Sequence, residues 1–483
     1  MNNNKNNNMN NANMNHIALQ FYGGEWMSFF PFVIFLILII ITTFVWGSIS
    51  DGALWLPAFL ALMLPFFLAK DKKQYTQVII EGMASKEAIM PVICWLFAGV
   101  FSGILRASGL AAAIAGIAAG LGVGSVVFLL ITFAASALFA TASGTGFGTI
   151  ATGMGVLYPA GIALGCHPPL LAGVIISGAV FGDNLAPVSD TTICSAISQG
   201  VDVPTVVRSR LKYSAAAAGI SAVIMIIAGM VLKTDKTAAD LVFEYEPIAL
   251  FMLVPVIITV IVAVKTGDII IATTVGIVLA GIVGVITGQF GFLKVDSVEN
   301  VNALFLVSGE GLDRTVGGII YTGLSGMLQV SILALLLFGS ISIMRQGGGD
   351  VRLLSTLGKI AKSAAGAELV ISFMVIILSA VMGLNAPAIL AVGASFAKPL
   401  TEKYGISPYR TANLLDAQSN TLVYALPWTP AIIFTIGFAA QTEAPLLAAE
   451  VTPFVIYGYV LLAVMMASIF LGIGRKDGEE KKV

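Results

Sequence analysis

The sequence predicts an all-α polytopic membrane protein built from two related halves, each interrupted by a broken helix. Three observations carry this. The chain of 483 residues is 58% hydrophobic and only 11% charged, against roughly 25% charged in a soluble domain. Apolar runs of about 20 residues, enough to cross a hydrocarbon core of about 30 Å, recur along its length. The prolines and glycines that interrupt those runs repeat at a fixed spacing of 240 residues.

Mean hydropathy is +0.95. A β-barrel would show short alternating strands, and the sequence has none. The net charge of −1 gives no reason to expect nucleic acid. Cys94, Cys166 and Cys194 lie in or near apolar segments. They read as small buried residues, not as a disulfide framework or zinc site. With only His16 and His167 present, a multi-histidine metal centre is excluded.

The first 16 residues are mostly asparagine, a low-complexity composition that predicts disorder. Residues 1–27 are read as a tail. The first apolar run is too long for a signal-peptide core and becomes the first span. Spans or half-spans follow at 28–46, 52–69, 88–105, 107–123, 124–140, 169–199, 213–232, 246–264, 268–289, 318–343, 367–383, 408–440 and 451–474. Broken regions fall at 141–165 and 384–405. This divides the chain into an N-terminal half, 28–232, connecting helices and linker, 233–317, a C-terminal half, 318–474, and a charged tail, 475–483. Lys72–Glu87 reads as an interfacial amphipathic helix, and 294–315 as a linker along a membrane surface. Lysines and arginines at 70–73, at Arg208, Arg210 and Lys212, and in the C-terminal tail place both termini in the cytoplasm.

The internal repeat appears when 138–188 is laid on 378–428 without gaps. Pro159, Pro168 and Pro187 fall on Pro399, Pro408 and Pro427, and Gly153 and Gly165 on Gly393 and Gly405. Paired interruptions of this kind point to the binding site of a secondary transporter. Irregular backbone at membrane depth is tolerated only where protein or a water-filled cavity satisfies it.

The first-half break, "FGDNLAPVSDTT" (181–192), holds Asp183 and Asp190, seven residues apart on one helical face. Pro187 removes an N–H and opens the backbone between them. Freed carbonyls, the two carboxylates, Asn184, Ser189 and Thr191 form an all-oxygen set suited to a hard cation such as Na⁺. Charge at the bilayer centre costs at least about 2.5 kcal/mol. A carboxylate there is therefore expected to take a proton when the cation leaves. Upstream, "ATASGTGFGT" (140–149) reads as the tip of a re-entrant hairpin. Gly144 and Gly146 allow the tight turn, and Ser143 and Thr145 offer oxygens. Asn385 lies opposite Thr145 in the second half. There Asp416 and Asn420 precede the break at "LPWTP", with Pro427 and Thr429. Arg410 is a possible partner for Asp416, and Arg106 reads as a side chain that snorkels to the interface. No base–nucleophile–orienter set is visible, so the chain does not read as an enzyme.

The pattern made by Gly182, Asp183, Pro187, Ser189, Asp190, Thr191 and Thr192, with Leu426, Pro427 and Trp428 downstream, resembles the NhaC-type sodium/proton antiporter family. "GVFSGILRASG" (Gly99–Gly109) is similar to that family's Gly-rich early helix. The resemblance covers roughly residues 75 to 474. The chain departs from the pattern at Asn184, where many members carry Lys, and at Thr429, where Asn is more usual. The resemblance implies an inverted-repeat secondary transporter with two re-entrant hairpins and discontinuous helices, a homodimer in the inner membrane of a bacterium. It implies Na⁺/H⁺ exchange, with Asp183 and Asp190 as the ion-binding acids, and no cofactor beyond Na⁺ and H⁺ as coupling ions. Two readings stay open: cation/proton antiport, and Na⁺- or H⁺-coupled movement of a small organic solute such as an amino acid or carboxylate.

Overall fold

The structure is a computed structural model that describes residues 19–42, 52–187, 189–232, 246–295, 302–309, 313–357 and 361–476. The Asn-rich run up to residue 18 and the end of the charged tail lie outside the described residues. Among the described residues, six helices are long and apolar enough to cross a membrane. A bent pair, Ala448–Phe454 with Ile456–Phe470, makes a seventh. The protein is therefore a multi-pass helical membrane protein.

The chain forms two compact units, one from 1–92 with 331–361, the other from 93–330 with 362–483. In the first unit the described residues begin ahead of the first apolar run. Leu19 donates its N–H to the Gln346 carbonyl at 3.1 Å, and Leu19 and Phe21 are buried. Residues 19–27 thus pack as part of the unit, because these apolar side chains have a core to enter. The amphipathic segment forms the helix Lys72–Met83, N-capped by Asp71. Its buried face carries Tyr75, Val78 and Gly82.

The second unit holds the repeat. In its first half run α1 (Ser125–Ser143), α2 (Gly146–Thr152), α3 (Tyr158–Ala163), α4 (Pro168–Leu185), α5 (Asp190–Gln199) and α6 (Val203–Val231). In its second half run α7 (Ala364–Met382), α8 (Asn385–Val392), α9 (Lys398–Lys403), α10 (Pro408–Leu422), α11 (Pro430–Ala439) and α12 (Ile456–Phe470). The 240-residue spacing reappears in element boundaries. The π-helical turn Gly153–Leu157 corresponds to Gly393–Ala397, α3 to α9, and α5 to α11 at both ends. The starts of α4 and α10 coincide as well, each with proline in the first turn, where a missing N–H costs no helical bond. Gly165 and Gly405 share a positive φ, 77° and 62°. Packing follows the same correspondence. α1 lies on α4 as α7 lies on α10, while α2 meets α11 and α8 meets α5 across the halves.

Two further expectations change. The run read as a span at 107–123 is only the 11-residue helix Leu110–Gly120, because the left-handed glycines Gly109 and Gly122 bound it. The fold is not wholly α. The region read as a surface linker at 294–315 overlaps β1 (Gly291–Val295), β2 (Ala303–Ser308) and β3 (Thr315–Gly317), which form one sheet. β1 pairs with β2 in parallel and β2 with β3 antiparallel. Alternation is hidden there because β1 exposes both of its faces.

Candidate functional site

The broken helix of the first half places the site. α4 ends at Leu185 and α5 starts at Asp190. Between them Ala186 and Ser189 take extended backbone, and Pro187 has no N–H with which to continue the helix. Asp183 and Asn184 are buried on the last turn of α4.

Both oxygens of Asp183 are occupied by hydroxyl donors. Ser189 Oγ donates to Oδ1 at 2.9 Å, and Tyr424 Oη donates to Oδ2 at 2.9 Å. The Thr191 hydroxyl lies 2.9 Å from that of Ser189. Ser189 stands at the N-cap of α5 but makes no side-chain capping bond, so its hydroxyl is left for Asp183. No basic side chain among the described residues pairs with Asp183.

Asp416, buried on α10, differs. It forms an ion pair with Arg210 of α6, both side chains fully buried. Arg210 Nη1 also donates to the Asn184 carbonyl at 2.5 Å and to Thr192 Oγ1 at 3.2 Å. Its Nε donates to Asn413 Oδ1 at 3.2 Å. Asp416 Oδ1 accepts from Asn420 Nδ2 at 2.8 Å, and Asn420 Oδ1 accepts from Asn385 Nδ2 at 2.5 Å. A continuous polar chain thus runs from the start of α8 through α10 to α6 and the first-half break. Asp416 has its counter-charge built in and Asp183 does not.

The remaining sequence candidates divide. Asp190 opens α5 with an exposed side chain. The break takes it off the face it would share with Asp183 on a continuous helix. In the first-half turn, Gly144 is left-handed with φ 69° and ends α1. A Cβ at Gly146 would strike the Tyr424 hydroxyl, so this glycine makes room for the group that binds Asp183. Ser143 Oγ is buried without a hydrogen-bond partner among the described residues. Thr145 caps α2, accepting from the Gly148 N–H at 3.2 Å. Thr429 is the N-cap residue of α11, but its hydroxyl donates locally to the Leu426 carbonyl at 2.7 Å. Pro427 sits in the second break, between α10 and α11.

Three basic residues are placed differently from the sequence reading. Arg410 does not meet Asp416. It pairs with Glu368 at 2.8 Å, because six residues is a turn and two-thirds and the two side chains leave α10 on different sides. Glu368 also takes Arg475 at 2.9 Å. Arg210, read only as one of the basic residues that orient the chain, is buried inside α6 while its neighbour Arg208 is exposed. Arg106 does not snorkel. Its guanidinium binds Ser102 at 2.9 Å and Gln441 at 2.5 Å.

Sequence reasoning passed over Arg210, Tyr424, Asn413, Ser214 and Tyr457. Two had a signal. Tyr424 lies 240 residues beyond Asn184, inside the matched window. Arg210 shares a helical stripe with Val206, Tyr213 and Ala217, all buried.

Residues 4–230 match the Na⁺/H⁺ antiporter family. The chain is 30% identical over 177 residues to a malate-2H⁺/Na⁺-lactate antiporter of Bacillus subtilis, covering 37% of each chain. It is 25% identical over 159 residues to the Na⁺/H⁺ antiporter NhaC of Alkalihalophilus pseudofirmus, covering 33% of this chain and 34% of that one. A longer match, 24% over 375 residues and 73% of each chain, is to the arginine/ornithine antiporter ArcD of Halobacterium salinarum. The first two alignments span about a third of those relatives' length. All three relatives are antiporters, not enzymes.

Proposed function

We propose that the chain, whose residues 4–230 match the Na⁺/H⁺ antiporter family, is a secondary antiporter exchanging Na⁺ for H⁺ by alternating access in the bacterial inner membrane. The observation that carries this reading is Asp183: a buried carboxylate with hydroxyl neighbours from both halves and no basic partner among the described residues. An unpaired charge there is costly. The carboxylate must hold either a cation or a proton, and mutual exclusion at one group is exchange. Ser189, Thr191 and Tyr424 supply the neutral oxygens that a hard cation takes in place of water. Asp190, exposed at the start of α5, is the acid that receives the cation from the aqueous side.

The paired turns at Gly144 and Gly383, both left-handed, support re-entrant hairpins whose tips face the breaks. The common boundaries of the two halves support an inverted repeat, and their relative motion opens the site to each side in turn. Both termini are cytoplasmic and the working unit is a homodimer.

The test is reconstitution in liposomes with lumenal pH followed while Na⁺, Li⁺ or K⁺ is added alone. Exchange gives a proton flux from cation alone, which Asp183→Asn and Asp190→Asn abolish without loss of folded protein. A flux that waits for an organic solute, or normal transport by both variants, overturns the reading.

A further inference from the structure

We propose that Arg106 and Gln441 form a catch between the repeated core and a helix outside it, a contact that parts and re-forms in each transport cycle. The inference rests on the alternating-access reading and names a positioning pair for it. Arg106 stands in the last turn of the helix Lys86–Ala107, which lies outside α1–α12. Its Nη1 donates to Ser102 Oγ on the same helix, and its Nη2 donates to Gln441 Oε1, just past the end of α11. Arg210 and Arg410, buried in the core, each hold a carboxylate. Arg106 is half-buried and has no ion pair among the described residues. A guanidinium removed from water is ordinarily paired with an acid. A neutral amide holds it less tightly than a carboxylate would, which suits a contact that has to let go.

The surroundings set a rigid mount against a part that can move. The helix Lys86–Ala107 lies backbone to backbone on Ile319–Ser325. A Cβ at Gly99 would come within 2.6 Å of the Gly323 carbonyl oxygen, and one at Gly323 within 2.6 Å of that of Gly99. Gly326 clears room for the Gln441 amide, which would stand 2.5 Å from a Cβ there. The same helix meets both halves of the core. A Cβ at Gly155, in the π-helical turn of the first half, would stand 2.9 Å from Ser102 Oγ. Trp95 stacks on Phe434 of α11 with ring centroids 5.2 Å apart. Trp95 is fully buried, yet its Nε1 has no hydrogen-bond partner among the described residues. Buried donors are rarely left so, and a shift of α11 along the indole is the change that can bring an acceptor to it. Stacked rings can slide while staying in contact, so the stack keeps the two helices together when the polar contact opens. α11 runs straight on from the break that carries Tyr424, so displacement of that break is transmitted to Gln441.

The experiment uses the full-length protein and two readouts. In liposomes, Gln441→Glu turns the contact into an ion pair and should cut maximal Na⁺-driven proton flux about tenfold while the Na⁺ concentration for half-maximal flux stays within about twofold. Adding Arg106→Gln to that variant removes the pair and should bring flux back to within about threefold of wild type. In nanodiscs, spin labels at Leu121 and Glu443, both exposed, in a chain with its three cysteines replaced by alanine, report the distance across the catch by electron resonance. Wild type should show two distances whose proportions shift with Na⁺ and pH, and Gln441→Glu should leave the one that matches the structure. The flux variants keep the native cysteines, so they decide if the labelled chain does not fold. Wild-type flux from Gln441→Glu, no relief from Arg106→Gln, or a single distance that neither Na⁺ nor Gln441→Glu alters overturns the inference. Two distances that Gln441→Glu reduces to one, in a protein that shows no Na⁺-driven proton flux, would uphold the catch and sink the antiport reading.

Discussion

The Tyr424 hydroxyl donates to Oδ2 of Asp183 at 2.9 Å, joining residues 241 apart in the chain. The contact ties the second-half break to the first-half carboxylate. A hydrogen bond to a charged group contributes about 1.5–3 kcal/mol. Tyr424→Phe is therefore expected to raise the Na⁺ concentration for half-maximal proton flux by roughly tenfold or more. An unchanged Na⁺ dependence in the liposome assay would show that the hydroxyl does not serve the cation.

Gly146 makes that contact possible, since a Cβ there meets the tyrosine hydroxyl before any other atom. Gly146→Ala should displace Tyr424 and depress transport. Combined with Tyr424→Phe, which removes the atom in collision, it should cost less than the sum of the single changes. Strict additivity in a double-mutant cycle would disprove the steric link.

The two buried aspartates should differ in their effect on stability. Asp183→Asn removes no ion pair and should leave the melting temperature nearly unchanged while transport is lost. Asp416→Asn strands the Arg210 guanidinium, and loss of one partner of a buried pair costs about 3–5 kcal/mol. Thermal unfolding of the two variants in the same detergent compares them directly. Equal melting temperatures would contradict the pairing.

Glu368 neutralises Arg410 and holds Arg475, away from the breaks. Glu368→Gln should destabilise the fold by about 3–5 kcal/mol without altering the preference among Na⁺, Li⁺ and K⁺. A changed cation preference would place this cluster in the transport path.

Much of the architecture was legible because its causes are local. Proline at 187 and 427 cannot continue a helix wherever the surrounding chain lies. The breaks between α4 and α5 and between α10 and α11 therefore fall where the residues put them. The same holds for the left-handed glycine at 144, although Thr145 caps α2 while its counterpart Asn385 already begins α8. The sheet at 291–317 was missed because its first strand is exposed on both faces and carries no alternation.

By itself, the sequence determined that this is a multi-pass helical protein, that it is broken twice at matching places, and that carboxylates sit at the breaks. Apolar run length and the missing N–H of proline are properties of the chain alone. Only the tertiary structure decided which charges meet. Arg210, not Arg410, neutralises Asp416, and Asp183 is left to hydroxyls. Those pairings depend on how each helix is rotated against its neighbours. A buried charge is settled by whichever partner that rotation brings within hydrogen-bonding distance.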